Sequence, residues 1–244
     1  MTTVGAGRSE RGLRGAGDVR EKRLWGVASA CSYPYMTRLS PGYTGLDDRI
    51  AAHSAASIWI GDKVHLRARE PEDAQTIPRQ ENTADERSGW MVMPPRSRVA
   101  TRKEFEEAAD KKPGPETVNF DLAIARRADD VMVGGINVQE ADQTNGTFAY
   151  GVGLIPEHKG NGYAAEAVLL ILRFMFYERR FQKCEAHVYD YNSASISLHR
   201  KLGFVEEGRL RRHMFLGGEY RDELIFGMTV DEFREFYPAL APVL

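Results

Sequence analysis

The sequence predicts an α/β sandwich built around a mixed sheet, and three observations carry that expectation. Residues 147–155 set Phe148, Tyr150, Val152 and Leu154 on one face against Ala149, Gly151, Gly153 and Ile155 on the other, which is strand periodicity. Residues 163–177 are apolar on nearly every side except at Glu166 and Arg173, which predicts a helix buried over most of its surface. Between the two runs lies Ile155-Pro156-Glu157-His158-Lys159-Gly160-Asn161-Gly162-Tyr163, a glycine-punctuated strand-to-helix turn.

The other elements follow in order. Residues 1–57 alternate Gly5, Gly7, Gly12, Gly15 and Gly17 with Arg8, Arg11, Arg14, Arg20 and Arg23, the composition of a disordered extension. Glu10, Asp18 and Glu21 argue against a mitochondrial transit peptide there, and residues 51–57 are expected to lead into the fold as a short helical turn. The domain is expected over 58–238, with 239–244 as a tail. It opens on a strand in which Val64 and Leu66 alternate with polar residues, and Pro71-Glu72-Asp73 has the acidic first turn of a helix. Residues 84–95 read as irregular, with Trp90, Met91 and Met93 forming either a substrate-facing flap or a satellite core. A mostly solvated helix is expected over 102–111. Strands over 118–126 and 131–139 are joined by a turn at Ala128-Asp129-Asp130, and residues 142–146 turn into the strand that precedes the glycine loop. Residues 183–190 form a strand with Cys184, Ala186 and Val188 on one face and Glu185, His187 and Tyr189 on the other. Asn192 is placed to cap a helix over 193–202, with Gly203 as its C′ residue. Arg209, Arg211 and Arg212 sit on an alternating strand, either a solvated edge or a steering surface for an acidic substrate.

With 244 residues, 42% of them hydrophobic, and a formal net charge of -2, the chain can bury a sizeable core and has no bulk attraction to nucleic acid. Cys31 and Cys184 fit no metal or redox spacing, so a reducing, cytoplasmic setting is expected. No apolar run reaches transmembrane length and the N-terminus lacks a signal-peptide core, so no membrane partner is expected.

The glycine turn has the composition of an anion site. At Gly160 and Gly162 no Cβ keeps a ligand from the backbone, and the first N–H groups of the following helix point outward without partners, ready for a phosphate or pyrophosphate. A nucleoside-triphosphate loop needs Gly-Lys followed by Ser or Thr, whereas Gly162 is followed by Tyr163. A dinucleotide fingerprint needs a third glycine that is missing here. The ligand-free alternative is a tight turn with Asn161 as the helix N-cap.

Lys159-Gly160-Asn161-Gly162-Tyr163-Ala164 resembles the Arg/Gln-x-x-Gly-x-Gly/Ala pyrophosphate loop of the GNAT superfamily of acetyl-CoA-dependent N-acetyltransferases. Asn192-Ser193-Ala194-Ser195, continuing to Lys201-Leu202-Gly203-Phe204, resembles its second signature, and Gly217-Gly218-Glu219-Tyr220-Arg221-Asp222-Glu223 resembles the closing hairpin of the RimJ/RimL-type branch. The resemblance spans about residues 58–236. It implies a single catalytic domain whose mixed, mostly antiparallel sheet is flanked by helices, with acetyl-CoA as co-substrate and no metal. It also implies that Leu154, Ile155, Lys159, Gly160, Asn161, Gly162, Tyr163 and Ala164 hold the cofactor, that Asn192 bonds the pantetheine arm, and that Ser195 lies near the thioester. Lys159 replaces the usual Arg or Gln and keeps the charge without the bidentate fork. His199 stands where many members carry a Tyr thought to protonate the departing thiolate.

Acetyl transfer needs a held thioester, a neutral amine and donors for the tetrahedral oxyanion; backbone N–H groups along residues 152–155 are candidates for the donors. Glu140, at a strand end, and Tyr150, on the strand before the loop, are the candidate bases. Either has a bland alternative, a solvated charge for Glu140 and core packing for Tyr150; His187 and His199 titrate near neutrality but are more often structural. Glu166, in the first helical turn, complements the helix dipole without any catalytic task. The acceptor is expected to be a primary amine, either a small molecule or a protein N-terminus, attacked directly in a ternary complex. The resemblance leaves room for a homodimer. The alternative is a degenerate member that binds acyl-CoA as a sensor or scaffold without turnover.

Overall fold

The computed structural model describes residues 42–53, 57–78 and 94–242, and these carry one seven-stranded sheet in the order β1-β2-β3-β4-β5-β7-β6. The strands are β1 Val64–Arg67, β2 Phe120–Arg126, β3 Met132–Asp142, β4 Thr147–Leu154, β5 Lys183–Tyr189, β6 Val205–Leu216 and β7 Glu219–Thr229. Every neighbouring pair is antiparallel except β4 with β5. The expected mixed, mostly antiparallel architecture is therefore present. Among the described residues no helix is long and apolar enough to cross a membrane.

The helices are α1 Leu46–Ala51, α2 Arg98–Ala109, α3 Tyr163–Arg173, α4 Ser193–Lys201 and α5 Val230–Phe236. Helix α3 is the structural centre: Leu169, Leu170, Ile171 and Leu172 are each 0% exposed. Each such burial stabilises by roughly 1.5–3 kcal/mol. The chain then widens into a π-helical turn over Phe174–Glu178, where the sequence predicts a continuing α-helix. Helix α2 starts earlier than expected, because Ser97 caps it by accepting from the Ala100 N–H, and it buries Phe105 against Ala123 and Met132. The helix expected from Pro71 is one 3-10 turn, Pro71–Gln75. The expected flap around Trp90, Met91 and Met93 lies outside the described residues.

Both ends of the fold reach further than the sequence suggests. Leu46 and Ile50 of α1 lie in the main core, with Tyr237 and Leu240 from the C-terminal side, so residues 46–51 and 240 belong to the packed domain and not to an extension or a tail. Two large apolar residues in a six-residue helix give too little periodicity to stand out after a glycine- and arginine-rich run. The expectation of disorder over 1–41 lies outside the described residues.

Candidate active site

The sheet comes apart between its fourth and fifth strands. Strands β4 and β5 pair in parallel at Thr147↔Lys183, Phe148↔Cys184 and Ala149↔Glu185, and there the ladder stops. Beyond it β4 continues against β3 up to Leu154↔Gly134, while β5 continues against β7 up to Tyr189↔Glu223. From Tyr150 onward, then, β4 presents to the fork a backbone edge with no strand beside it among the described residues. Cross-strand partners share a face, so Gly151 and Gly153 lie on the same face as Glu185, His187 and Tyr189, and that side of the fork has no side chain from β4 to fill it. Gly134 has its own reason: a Cβ there would meet the Gly153 carbonyl oxygen, so the close β3–β4 approach requires glycine.

The glycine loop sits at the open end of β4. Gly160 and Gly162 have φ of 81° and 83°, the left-handed region that glycine enters without strain. Gly162, not Asn161, is the N-cap of α3, and no side chain caps that helix. Asn161 instead turns back, its Nδ2 donating to the carbonyls of His158 and Lys159 at 3.1 and 3.3 Å. The helix therefore starts with N–H groups that no capping side chain satisfies, facing a turn with no Cβ at its two tightest points.

Two contacts brace this loop from β1. Lys63 Nζ donates to the Asn161 carbonyl at 3.1 Å. Glu166, fully buried in the first turn of α3, accepts from the N–H groups of Lys63 and Val64 at 2.8 and 3.1 Å. Burial pushes the Glu166 carboxyl up from its ordinary range, against the opposing pull of those two N–H donors. Glu166 thus ties β1 to the loop helix, which is more than the dipole complement the sequence suggests. Beside the loop opens a cleft of about 480 Å³ lined by Asp62, Lys63, Arg126, Arg127, Asn161 and Tyr163. Arg126 pairs bidentately with Asp129, and Arg127 donates to the carbonyls of Gly61 and Asp62. The sequence does not reveal Lys63 and Arg126 as neighbours, because only the β1–β2 register, Val64↔Arg126, brings them together.

The second motif borders the fork. Asn192 Oδ1 accepts from the Ser195 N–H at 3.0 Å, so the expected cap is present, and Ser195 is half-buried in the first turn of α4. Helix α4 ends with Gly203 N–H to Arg200 O and Phe204 N–H to His199 O, at a Gly203 φ of 86°, which is the expected C′ glycine in a Schellman turn. Beneath it, His199 Nδ1 lies 2.8 Å from the Ser195 carbonyl, and Nε2 lies 2.8 Å from the Tyr150 hydroxyl. A carbonyl only accepts, so Nδ1 carries the hydrogen and Nε2 accepts from Tyr150. Burial pulls the His199 pKa down to about 4, with the Ser195 carbonyl acting in the opposite sense, and His199 is a neutral imidazole at pH 7.

This arrangement favours the packing alternative for Tyr150 over the role of base. Its hydroxyl is buried, burial drives its pKa well above that of an ordinary phenol, and its one proton is given to His199. Tyr150 welds β4 to α4. Glu140 is exposed on a β-bulge near the β3–β4 turn, with φ of 52°, one strand removed from the fork. Leu154 is half-buried and Ile155 buried at the start of the loop, while Lys159 is exposed at its outer side.

A family model described as an acetyltransferase (GNAT) domain matches residues 63–205, which takes in the fork, the loop and the capped helix. The chain belongs to the GNAT acetyltransferase family. Among its GNAT relatives is the SPbeta prophage-derived uncharacterized N-acetyltransferase YokL of Bacillus subtilis, 38% identical over 181 residues that cover 73% of this chain and 97% of the relative. The spermidine N(1)-acetyltransferase of Vibrio cholerae is 26% identical over 163 residues, covering 67% of this chain and 91% of that enzyme. A crystal structure of spermidine N-acetyltransferase from Vibrio cholerae in complex with CoA and spermine shares the fold, with a TM-score of 0.58, 22% identity and coverage of 71% of this chain and 99% of that one. As a GNAT N-acetyltransferase the protein uses acetyl-CoA. In this GNAT domain His199 is buried and already bonded at both ring nitrogens.

Proposed function

We propose that the protein transfers the acetyl group of acetyl-CoA to a primary alkylamine by direct attack within a ternary complex. The fork carries this reading: a backbone edge on β4 beyond Ala149 leads through the glycine loop to a helix N-terminus whose N–H groups no side chain caps among the described residues. In it, residues 154–155 and 159–164 receive the pantetheine arm and pyrophosphate, and the cleft cations Lys63, Arg126 and Arg127 add positive charge beside them. Asn192 keeps its cap through Oδ1 and offers Nδ2 to the pantetheine amides.

Direct attack is favoured by what the nucleophilic side chains do. Cys184 is fully buried and its thiol is pushed well up by burial, so it supplies no thiolate for an acyl-enzyme. His199 Nδ1 lies 3.4 Å from Ser195 Oγ, but it carries the hydrogen given to the Ser195 carbonyl and so cannot take the Ser195 proton. The named spermidine N(1)-acetyltransferases among the relatives favour a small alkylamine over a protein N-terminus. An alkylammonium of pKa ~10.4 costs roughly 4–5 kcal/mol to deprotonate at pH 7, against about 1 for an α-amine, so this acceptor class needs a base. The RimJ/RimL-type branch rests on the Gly217–Glu223 hairpin alone, and a cytoplasmic setting on the reduced, buried Cys184. Incubation with acetyl-CoA and a panel of alkylamines, α-amines and peptides, read by thiol release, should give turnover with the alkylamines. Stoichiometric CoA binding with no amine-dependent release favours the sensor or scaffold instead.

A further inference from the structure

On the open face of the fork stands a group of titratable residues that the cofactor site does not use. His187 lies on β5 just past Glu185, the last residue paired with β4, and it projects on the face where β4 offers only Ala149, Gly151 and Gly153. Its Nδ1 is 3.5 Å from Oε2 of Glu223, a β7 carboxylate whose side chain is 9% exposed. The imidazole itself is 35% exposed. A bulge in β6, with Arg212 at a φ of 55° and its N–H held by Asp222 Oδ1 at 2.8 Å, brings His213 Nε2 to 3.3 Å from the same Glu223 oxygen. The register pairs Tyr189 with Glu223, so Tyr189 walls the same face and stacks on Tyr191.

We propose that His187, oriented by Glu223, is the base that takes the proton from the acceptor ammonium. The proposal rests on the acetyltransfer reading above. The carboxylate stands 3.5 Å from Nδ1 and so favours the hydrogen on that nitrogen, which leaves the lone pair at Nε2. Neither sequence candidate has this geometry: Tyr150 is buried with its proton committed, and Glu140 stands on the outer bulge of β3. His187 borders the fork beside the free edge of β4, on the face where β4 carries Gly151 and Gly153 and so leaves room for an acceptor. The buried Glu223 carboxylate also supplies negative charge to an incoming ammonium.

The step balances without any further reagent. Nε2 takes one proton from R–NH₃⁺, and the freed nitrogen lone pair forms the C–N bond to the thioester carbonyl carbon. The C–S bond then breaks, the thiolate leaves with the electron pair and is protonated by the second amine proton, and the imidazolium returns its proton to water. The groups facing His187 are Glu185 and Tyr189 from its own strand, Glu223 from β7 and His213 from β6, while Lys183 pairs with Glu185 and Glu207 at 3.5 and 2.7 Å.

The test measures kcat/KM for a primary alkylamine of pKa near 10 across pH 5.5–9.5 in wild type, His187→Ala and Glu223→Gln, with acetyl-CoA binding by calorimetry. His187→Ala should lose roughly 10²–10⁴-fold at pH 7, recover part of it as pH rises, lose the wild-type acid limb and bind acetyl-CoA normally. Glu223→Gln should retain more activity than His187→Ala, with its loss in kcat and not in acetyl-CoA binding. Full activity and an unchanged acid limb in His187→Ala overturn the assignment while the acetyltransfer reading stands. Wild type that releases no thiol with any amine overturns that reading and this role together. A variant that loses acetyl-CoA binding in step with activity would show His187 to be structural, and overturns the assignment as well.

Discussion

Replacing Gly162 with valine separates the loop's two duties, turning the chain and admitting a phosphate. Gly162 has a φ of 83°, and a Cβ there has only Lys63 Nζ within 4 Å, at 3.7 Å. Space is therefore not the obstacle to folding; backbone conformation is. A non-glycine residue in the left-handed region costs roughly 1–2 kcal/mol, with a β-branched residue toward the upper end, and in a chain of this size that lowers Tm by about 2–8 °C. Binding pays separately. The branched side chain would occupy the approach to the α3 N–H groups, and losing two charge-assisted hydrogen bonds of about 1.5–3 kcal/mol each weakens CoA by roughly 10²–10⁴-fold. Gly218→Val is the matched control: its φ is 89° with nothing within 4 Å of a Cβ, in the β6–β7 hairpin, so it carries the strain without touching the loop. Calorimetry with CoA should show Gly218→Val binding normally and Gly162→Val hardly at all, with similar melting shifts in both. CoA affinity in Gly162→Val within threefold of wild type would refute the loop as the pyrophosphate site.

Tyr150→Phe should leave turnover largely intact while costing about 1–3 kcal/mol in denaturant unfolding, because the buried His199 Nε2 loses its donor; Glu140→Gln should be mild on both counts, and a 10²-fold loss in either variant would restore it as the base. Asp73 is held below its ordinary range: burial raises it, but the bidentate bonds from Arg67 and the Glu70 N–H outweigh that. A depressed carboxylate gives stability above its unfolded pKa and loses it as pH falls through the folded value, so the stability gap between wild type and Asp73→Asn should be full at pH 7 and narrow below about pH 4, as measured by urea titration. Deleting residues 1–53 removes Leu46 and Ile50 from the core at roughly 1.5–3 kcal/mol each, and should lower Tm by on the order of 10 °C, as read by thermal unfolding.

What the sequence revealed were features with a local period or a local punctuation. The strand at 147–154, the helix from Tyr163 and the Asn192 cap with its Gly203 terminus all follow from residues within a few positions of one another. What escaped it depends on register and burial. That Tyr150 would spend its proton on His199, forty-nine positions away, is set by how α4 packs on β4. That His187 and Glu223 would meet is set by the β5–β7 ladder, which the alternation in either strand alone does not fix. Lys63 reads as one polar residue before a strand, and only the fold brings its amine to the Asn161 carbonyl.

The fork has a consequence for the lifetime of the protein as well as for its chemistry. A sheet unzipped at its own centre carries there the exposed rung positions that other proteins confine to their outermost strands and take care to blunt. A thioester arm lying in the gap would serve as a surrogate strand, and anything that binds the native form alone stabilises it, by about 2.7 kcal/mol at a hundredfold excess over Kd. Resistance to proteolysis should then follow the supply of cofactor, so that a cell short of acetyl-CoA would hold a more fragile copy of the very enzyme that consumes it.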